Sequence, residues 1–241
     1  MTRLLTNVLV LCAVLTLSAC QRNDVSPAPA PQANRAIEGP SGTTLPEDGR
    51  DRILVLGNSL AAGYGLSAPE LAFPGLIQTY IDRLGWSFYV DNAGVSGETT
   101  SGGLSRLPWL LEQPVSVFIL ELGGNDGLRG VPLATTRENL REMIRITRER
   151  YPEADIVLAG MQIPPNLGQA YTSEFAAMYP GIAREMGVHL IPFLLEGVAG
   201  IRRLNLPDGI HPTEAGQRIV ARTVWNTLEP VLRNRLPATA P

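Results

Sequence analysis

Three short apolar runs, residues 52–57 (RILVLG), 115–122 and 155–160, constrain this chain more than any other feature of its sequence. Each has the length of one strand, shows no polar alternation and stops at or beside glycine, as a strand buried on both faces does. Weaker strands at residues 86–90, where Trp86, Phe88 and Val90 alternate, and at 189–193 bring the count to five. Amphipathic helices fall between them. Leu76, Ile77, Tyr80, Ile81 and Leu84 mark one apolar face behind Pro74, and Tyr171, Phe175, Tyr179, Ile182 and Met186 mark another that ends at Gly187. Thr135 with Glu138 forms a capping box that should open a third helix, and a last helix should run from near Thr213 to about Leu228. The alternation predicts an α/β domain of three layers, α/β/α, around a five-stranded parallel sheet, with any site at the carboxyl ends of the strands where the order of connection reverses.

The loops at that rim hold Gly57-Asn58-Ser59-Leu60 after the first strand, Asn92 to Thr99 after the second and Gly123-Gly124-Asn125-Asp126 after the third. Asp208-Gly209-Ile210-His211 lies farther beyond the fifth. A serine, several glycines, an asparagine and an Asp/His pair are the parts of a serine hydrolase. Each part has a plainer use. Ser59 fits a helix N-cap, Asn125 and Gly97 fit tight turns, and Asp208 with His211 fits a loop cap. Functionally, an aspartate three residues before a histidine can bond its Nδ1 and leave Nε2 as a base. A glycine N–H and an asparagine amide can both donate to a developing oxyanion. Of the two histidines, His189 opens an apolar strand and reads as structural. Ser96 is the rival nucleophile.

Composition narrows the chemistry. All 20 basic residues are arginine, so neither a P-loop lysine nor a Schiff-base lysine exists, and 20 cations against 23 acids leave no basic excess for nucleic acid. Gly63-Tyr64-Gly65-Leu66-Ser67-Ala68 matches a dinucleotide fingerprint but begins six residues past the strand end, and no G-x-S-x-G elbow is in register. No metal-ligand spacing is present, so neither a metal nor another cofactor is expected.

The first fifty residues read differently. Arg3 is followed by a mostly apolar stretch at residues 8–17, shorter than the roughly 20 residues a spanning helix needs, and then by small residues. This resembles a secretory signal over residues 1–19, and Leu17-Ser18-Ala19-Cys20 resembles the lipobox of bacterial lipoproteins. That resemblance implies lipidation of Cys20 and cleavage before it, with an exported, membrane-anchored product. Gln21 rather than Asp favours the periplasmic face of the outer membrane. Cleavage would also remove Cys12, so the fold must hold without a disulfide. Residues 20–49, with Pro27, Pro29, Pro31, Pro40 and Pro46, read as a disordered tether, residues 50–236 as the folded domain and 237–241 as a tail.

Together, Gly57-Asn58-Ser59-Leu60, Gly97, Gly123-Gly124-Asn125-Asp126 and Asp208-Gly209-Ile210-His211 resemble the four ordered blocks of the GDSL or SGNH hydrolase superfamily. The resemblance, to the bacterial arylesterase, thioesterase I and lysophospholipase L1 branch, covers about residues 50–235 and implies a flavodoxin-like fold. It implies that Ser59 is the nucleophile, His211 the base and Asp208 its orienting acid. The oxyanion hole would be formed by the backbone N–H groups of Ser59 and Gly97 and the Asn125 amide. One position departs from the pattern: Asn58 stands where the family motif has Asp, and an amide there can still accept one hydrogen bond.

Leu128, Ile163, Pro164 and Pro165 are expected to wall an apolar groove for an acyl chain. The expected activity is hydrolysis of carboxylic esters, with lysophospholipids or simple esters as substrates and the monomer as the working form. Polysaccharide O-acetyl ester hydrolysis and a non-catalytic binding role in the envelope are the alternatives.

Overall fold

A computed structural model describes residues 49–164 and 167–237. The signal segment, Cys20, nearly all of the tether, Pro165 and residues 238–241 lie outside the described residues. Five parallel strands, β1 (Asp51–Gly57), β2 (Phe88–Asn92), β3 (Val117–Glu121), β4 (Asp155–Ala159) and β5 (His189–Ile191), pair in the order β2-β1-β3-β4-β5. This is the flavodoxin-like doubly wound order. The central strands β1 and β3 carry Ile53, Leu54, Leu56, Val117, Phe118 and Leu120 with no exposed surface, which is why they read as unbroken apolar runs.

The helices are α1 (Ser59–Ala62), α2 (Phe73–Leu84), α3 (Thr100–Leu110), α4 (Gly124–Leu128), α5 (Leu133–Arg150), α6 (Gln169–Met186) and α7 (Glu214–Arg235). α2 packs with α7, while α3 and α6 each pack on α5, giving a helical layer on either face of the sheet. Stacking order reverses between β1 and β3, since β2 lies outside β1 while β4 and β5 continue beyond β3. A crevice therefore opens at the carboxyl ends of β1 and β3.

Several boundaries differ from the sequence reading. β2 begins at Phe88 rather than Trp86, because Trp86 is drawn into the α2 cap, where its N–H bonds Ile81 behind Gly85, and its ring stacks on Trp225. β5 ends at Ile191, before Pro192, which has no N–H to offer a ladder. The capping box at Thr135 does not form. Helix α5 starts at Leu133, and the carbonyl of Pro132 takes the N–H groups of both Thr135 and Thr136, so these threonines are already helical. Helix α7 begins after Thr213, whose side chain accepts from the Gly216 N–H, but it runs through Pro230 to Arg235. Burial of Val231 and Leu232 and the bond from Arg235 to Asp155 (2.7 Å) hold that last stretch.

Candidate active site

The turn after β1 is built by close approach. β1 ends at Gly57, and Asn58 caps α1 by accepting the Leu60 N–H on its side-chain oxygen (2.9 Å), leaving Ser59 as the first helical residue. Gly94, in the loop after β2, lets that loop press on α1: a Cβ there would collide with the Ala62 nitrogen. Ser59 thus occupies a fixed place at the reversal point, 9% exposed.

The loop before α7 comes to meet it. His211 Nε2 lies 2.9 Å from Ser59 Oγ, and His211 Nδ1 lies 2.7 Å from Asp208 Oδ2. The other carboxylate oxygen of Asp208 accepts the backbone N–H groups of Ile210 (2.9 Å) and His211 (3.0 Å). Burial works against the Asp208 charge, but the His211 and Ile210 amides and the His211 ring outweigh it and hold the carboxyl down at about 2. The imidazole is thereby oriented with Nε2 toward the serine. Tyr64, just past α1, lays its ring against His211 with centroids 4.4 Å apart. His189 is remote from all this, 3.5 Å from Asp155 at the amino ends of β4 and β5.

Asn125 sits in α4 directly after β3. Its side-chain nitrogen donates one hydrogen to the Glu98 carbonyl (2.9 Å), which leaves the second for another acceptor. Gly97 takes a positive φ of 81°, and its carbonyl accepts from Arg129 (3.0 Å). Asp126 ties α4 to the start of α3 by accepting from the Thr100 N–H (2.9 Å) and hydroxyl (2.5 Å). Glu98 is held in turn by Arg106.

A groove of about 640 Å³ runs from Ser59, Asn125 and His211 between the loops that follow β3, β4 and β5. Leu128, Ile163 and Pro164 line it, as do Met161 and Leu195 from the loops after β4 and β5, and Phe193, which the sequence reading had placed in a strand. A Cβ on Gly97 would lie 3.5 Å from the Arg129 side chain. Among the described residues no three His, Cys, Asp or Glu side chains gather as a metal site.

Glu121, the last residue of β3, also escaped the sequence reading. It is fully buried and bonds the Asn58 backbone and side chain. A single acid inside an apolar strand was the signal, since buried acids occur almost only where partners wait for them. Burial pushes its carboxyl from 4.5 up to about 8, against hydrogen bonds from Asn58 and Ala61 and with help from the negative Glu98. The folded protein then keeps a proton that the unfolded chain gives up near pH 4.5, so the stabilisation is complete below that pH and is lost on rising to about 8. The melting temperature should fall between pH 5 and 8.5, by the equivalent of on the order of a few kcal/mol, and Glu121→Gln should flatten this slope. Calorimetry across that range checks it, and an equal slope in both proteins would contradict it.

Comparison with known proteins identifies the family. Residues 55–219 match the GDSL-like Lipase/Acylhydrolase family. The chain is 40% identical to Esterase TesA of Pseudomonas aeruginosa over 181 residues, covering 75% of this chain and 89% of that one. It is 38% identical to Thioesterase 1/protease 1/lysophospholipase L1 of Escherichia coli K12 over 185 residues, 76% of this chain and 86% of that one. Among solved structures, the psychrotrophic esterase EstA from Pseudoalteromonas sp., inhibited by monoethylphosphonate, superposes with a TM-score of 0.71 at 33% identity, covering 76% of this chain and all of that one. The matched span begins inside β1, just ahead of Ser59, and ends in α7, beyond His211, so it takes in every block described above, and the chain belongs to the GDSL-like lipase/acylhydrolase family.

Proposed function

We propose that this protein is a serine ester hydrolase that transfers an acyl group first to Ser59 and then to water. The observation that carries the reading is the chain of contacts from Ser59 Oγ to His211 Nε2 (2.9 Å) and from His211 Nδ1 to Asp208 (2.7 Å), at the mouth of an apolar groove. His211 takes the hydroxyl proton as Ser59 Oγ attacks the carbonyl carbon, and the imidazolium that results faces the Asp208 carboxylate. The proton then passes to the leaving group as its bond to the acyl carbon breaks. Water enters, gives a proton to His211 and attacks the acyl-enzyme, and His211 returns that proton to Ser59 Oγ as its bond to the acyl carbon breaks and the acid departs. The Ser59 and Gly97 N–H groups and the second Asn125 amide hydrogen are the donors assigned to the oxyanion. Asn125→Ala should fold normally and lose about 10²- to 10³-fold in kcat, and an unchanged kcat would remove Asn125 from this role.

Leu128, Ile163, Pro164, Met161, Phe193 and Leu195 suit an aliphatic acyl chain. Each methylene buried there contributes about 0.8 kcal/mol, so kcat/KM for p-nitrophenyl esters should climb about fourfold per added carbon from acetate until the groove is filled. A steep preference for acetate over octanoate would instead indicate a polysaccharide O-acetyl esterase, and no hydrolysis at any length would leave a non-catalytic binding protein. With Cys20 lipidated, the enzyme would work at the outer membrane beside phospholipids and away from cytosolic acyl-CoA. Lysophospholipids and simple carboxylic esters are therefore the proposed substrates ahead of thioesters.

A further inference from the structure

Glu121 lies under the nucleophile turn without being among the residues that line the substrate groove, and its oxygens face donors on three sides. Oε1 accepts from the Asn58 side-chain nitrogen (2.7 Å), Oε2 accepts from the Asn58 backbone nitrogen (3.0 Å), and the Ala61 backbone supplies a third hydrogen bond. Gly57 makes the room: a Cβ there would fall 2.7 Å from Oε2. Asn58 in turn has its side-chain oxygen on the Leu60 N–H (2.9 Å) and 3.4 Å from Ser59 Oγ. The carboxyl group therefore decides which end of the Asn58 amide faces the serine. Were the amide reversed, its NH₂ would confront the Leu60 N–H and donate to the Ser59 oxygen, drawing on the lone pair that must attack.

We propose that Glu121 is a positioning residue that acts through Asn58, fixing the amide so that Ser59 keeps its lone pair and its hydrogen bond to His211. This rests on the ester-hydrolase reading. It also accounts for Asn58 in place of an acid. Two facing carboxyl groups would need a shared proton to meet, whereas the amide brings its own hydrogen to the contact. The ionised carboxylate is the working form, because all three surrounding groups donate and a carboxylic O–H would find no acceptor among them. The other ionisable groups facing this region are Glu98 with its partner Arg106, Asp126 on α4, Tyr179 on α6, and the Asp208–His211 pair.

The test is kcat and KM of the full chain toward p-nitrophenyl butyrate from pH 6 to pH 9, for wild type, Glu121→Gln, Asn58→Asp and the double variant. Glu121→Gln must turn an NH₂ toward one of the donors. Its kcat should drop about 10- to 100-fold at pH 9 with little change in KM, and the deficit should narrow toward pH 6, where the wild type itself carries the proton. Asn58→Asp should lose kcat as pH rises and the shared proton leaves the carboxyl pair. The double variant exchanges acid and amide, so that the amide now at position 121 donates to the acid at position 58, and its kcat should return to within about threefold of wild type at pH 9. A role confined to stability would lower melting temperatures with neither the pH-dependent split nor the rescue. Should Glu121→Gln fail to fold, Asn58→Asp against the double variant carries the same comparison. An active wild type with kcat unchanged in Glu121→Gln, or a double variant no better than the worse single, overturns the proposal alone. A wild type inert toward the ester overturns the hydrolase reading and this proposal with it.

Discussion

Ser59→Ala should lower kcat for p-nitrophenyl butyrate by about 10⁴- to 10⁶-fold while leaving the melting temperature within a degree or two of wild type. The hydroxyl makes two polar contacts, 2.9 Å to His211 and 3.4 Å to the Asn58 oxygen, and neither partner depends on it for its own placement. His211 is held by Asp208 and Tyr64, and Asn58 by Glu121 and the Leu60 N–H. Removing one oxygen thus takes away the attacking atom and little else. Stopped-time assays at high enzyme concentration check the residual rate, and hydrolysis within tenfold of wild type would require another nucleophile.

Asp208→Asn should cost about 10⁴-fold in kcat by a different route. The carboxylate holds the His211 N–H and the ring Nδ1 at once, so the imidazole keeps its proton on Nδ1 and bares Nε2 as the base. An amide in its place has one oxygen, and the Ile210 and His211 backbone donors claim it. The NH₂ then faces Nδ1, moves the ring proton to Nε2 and leaves Ser59 without a base. The variant should fold, since Asp208 is exposed, and its rate should recover only partly at alkaline pH. A loss below tenfold would mean that Tyr64 and the loop backbone orient His211 unaided.

The strands that carry the site were the easiest part of the sequence to read. β1, β3 and β4 are covered on both faces, so burial writes itself as an apolar run, and Gly57 at the end of β1 and Gly123 beyond β3 mark where side chains would collide. Helix α3 left no comparable trace. Its sequence, TSGGLSRLPWL, holds two glycines and a proline, all poor for helices. Tertiary contacts override that preference: Thr99 caps it, Asp126 grips Thr100, and Gly103 is needed because a Cβ there would collide with the Leu122 side chain. The end of α7 was hidden for a related reason, since Pro230 reads as a stop while Leu228, Val231 and Leu232 find the core.

At the site, Ser59, Asp208 and His211 were legible because their residue types and order match a hydrolase pattern, although 152 positions separate the serine from the histidine that touches it. Leu128, Ile163 and Pro164 were legible as apolar residues in rim loops. Phe193 was not, since the apolar run from His189 read as strand and nothing in a linear sequence tells a groove wall from a core residue beside it. Glu121 was overlooked because its neighbours Leu120 and Leu122 made a uniform strand, and Tyr64 because its partner His211 is remote in sequence. Both act through contacts that exist only once the β1 turn is folded against its neighbours.

Ser59 is the residue proposed to take the acyl group, and a phosphonate ester probe followed by peptide mass spectrometry tests this most directly. One equivalent of adduct on the peptide bearing Ser59, absent in Ser59→Ala and slowed in Asp208→Asn, is the predicted result. An adduct on Ser96 with Ser59 unmodified, or labelling that persists undiminished in Ser59→Ala, would contradict it.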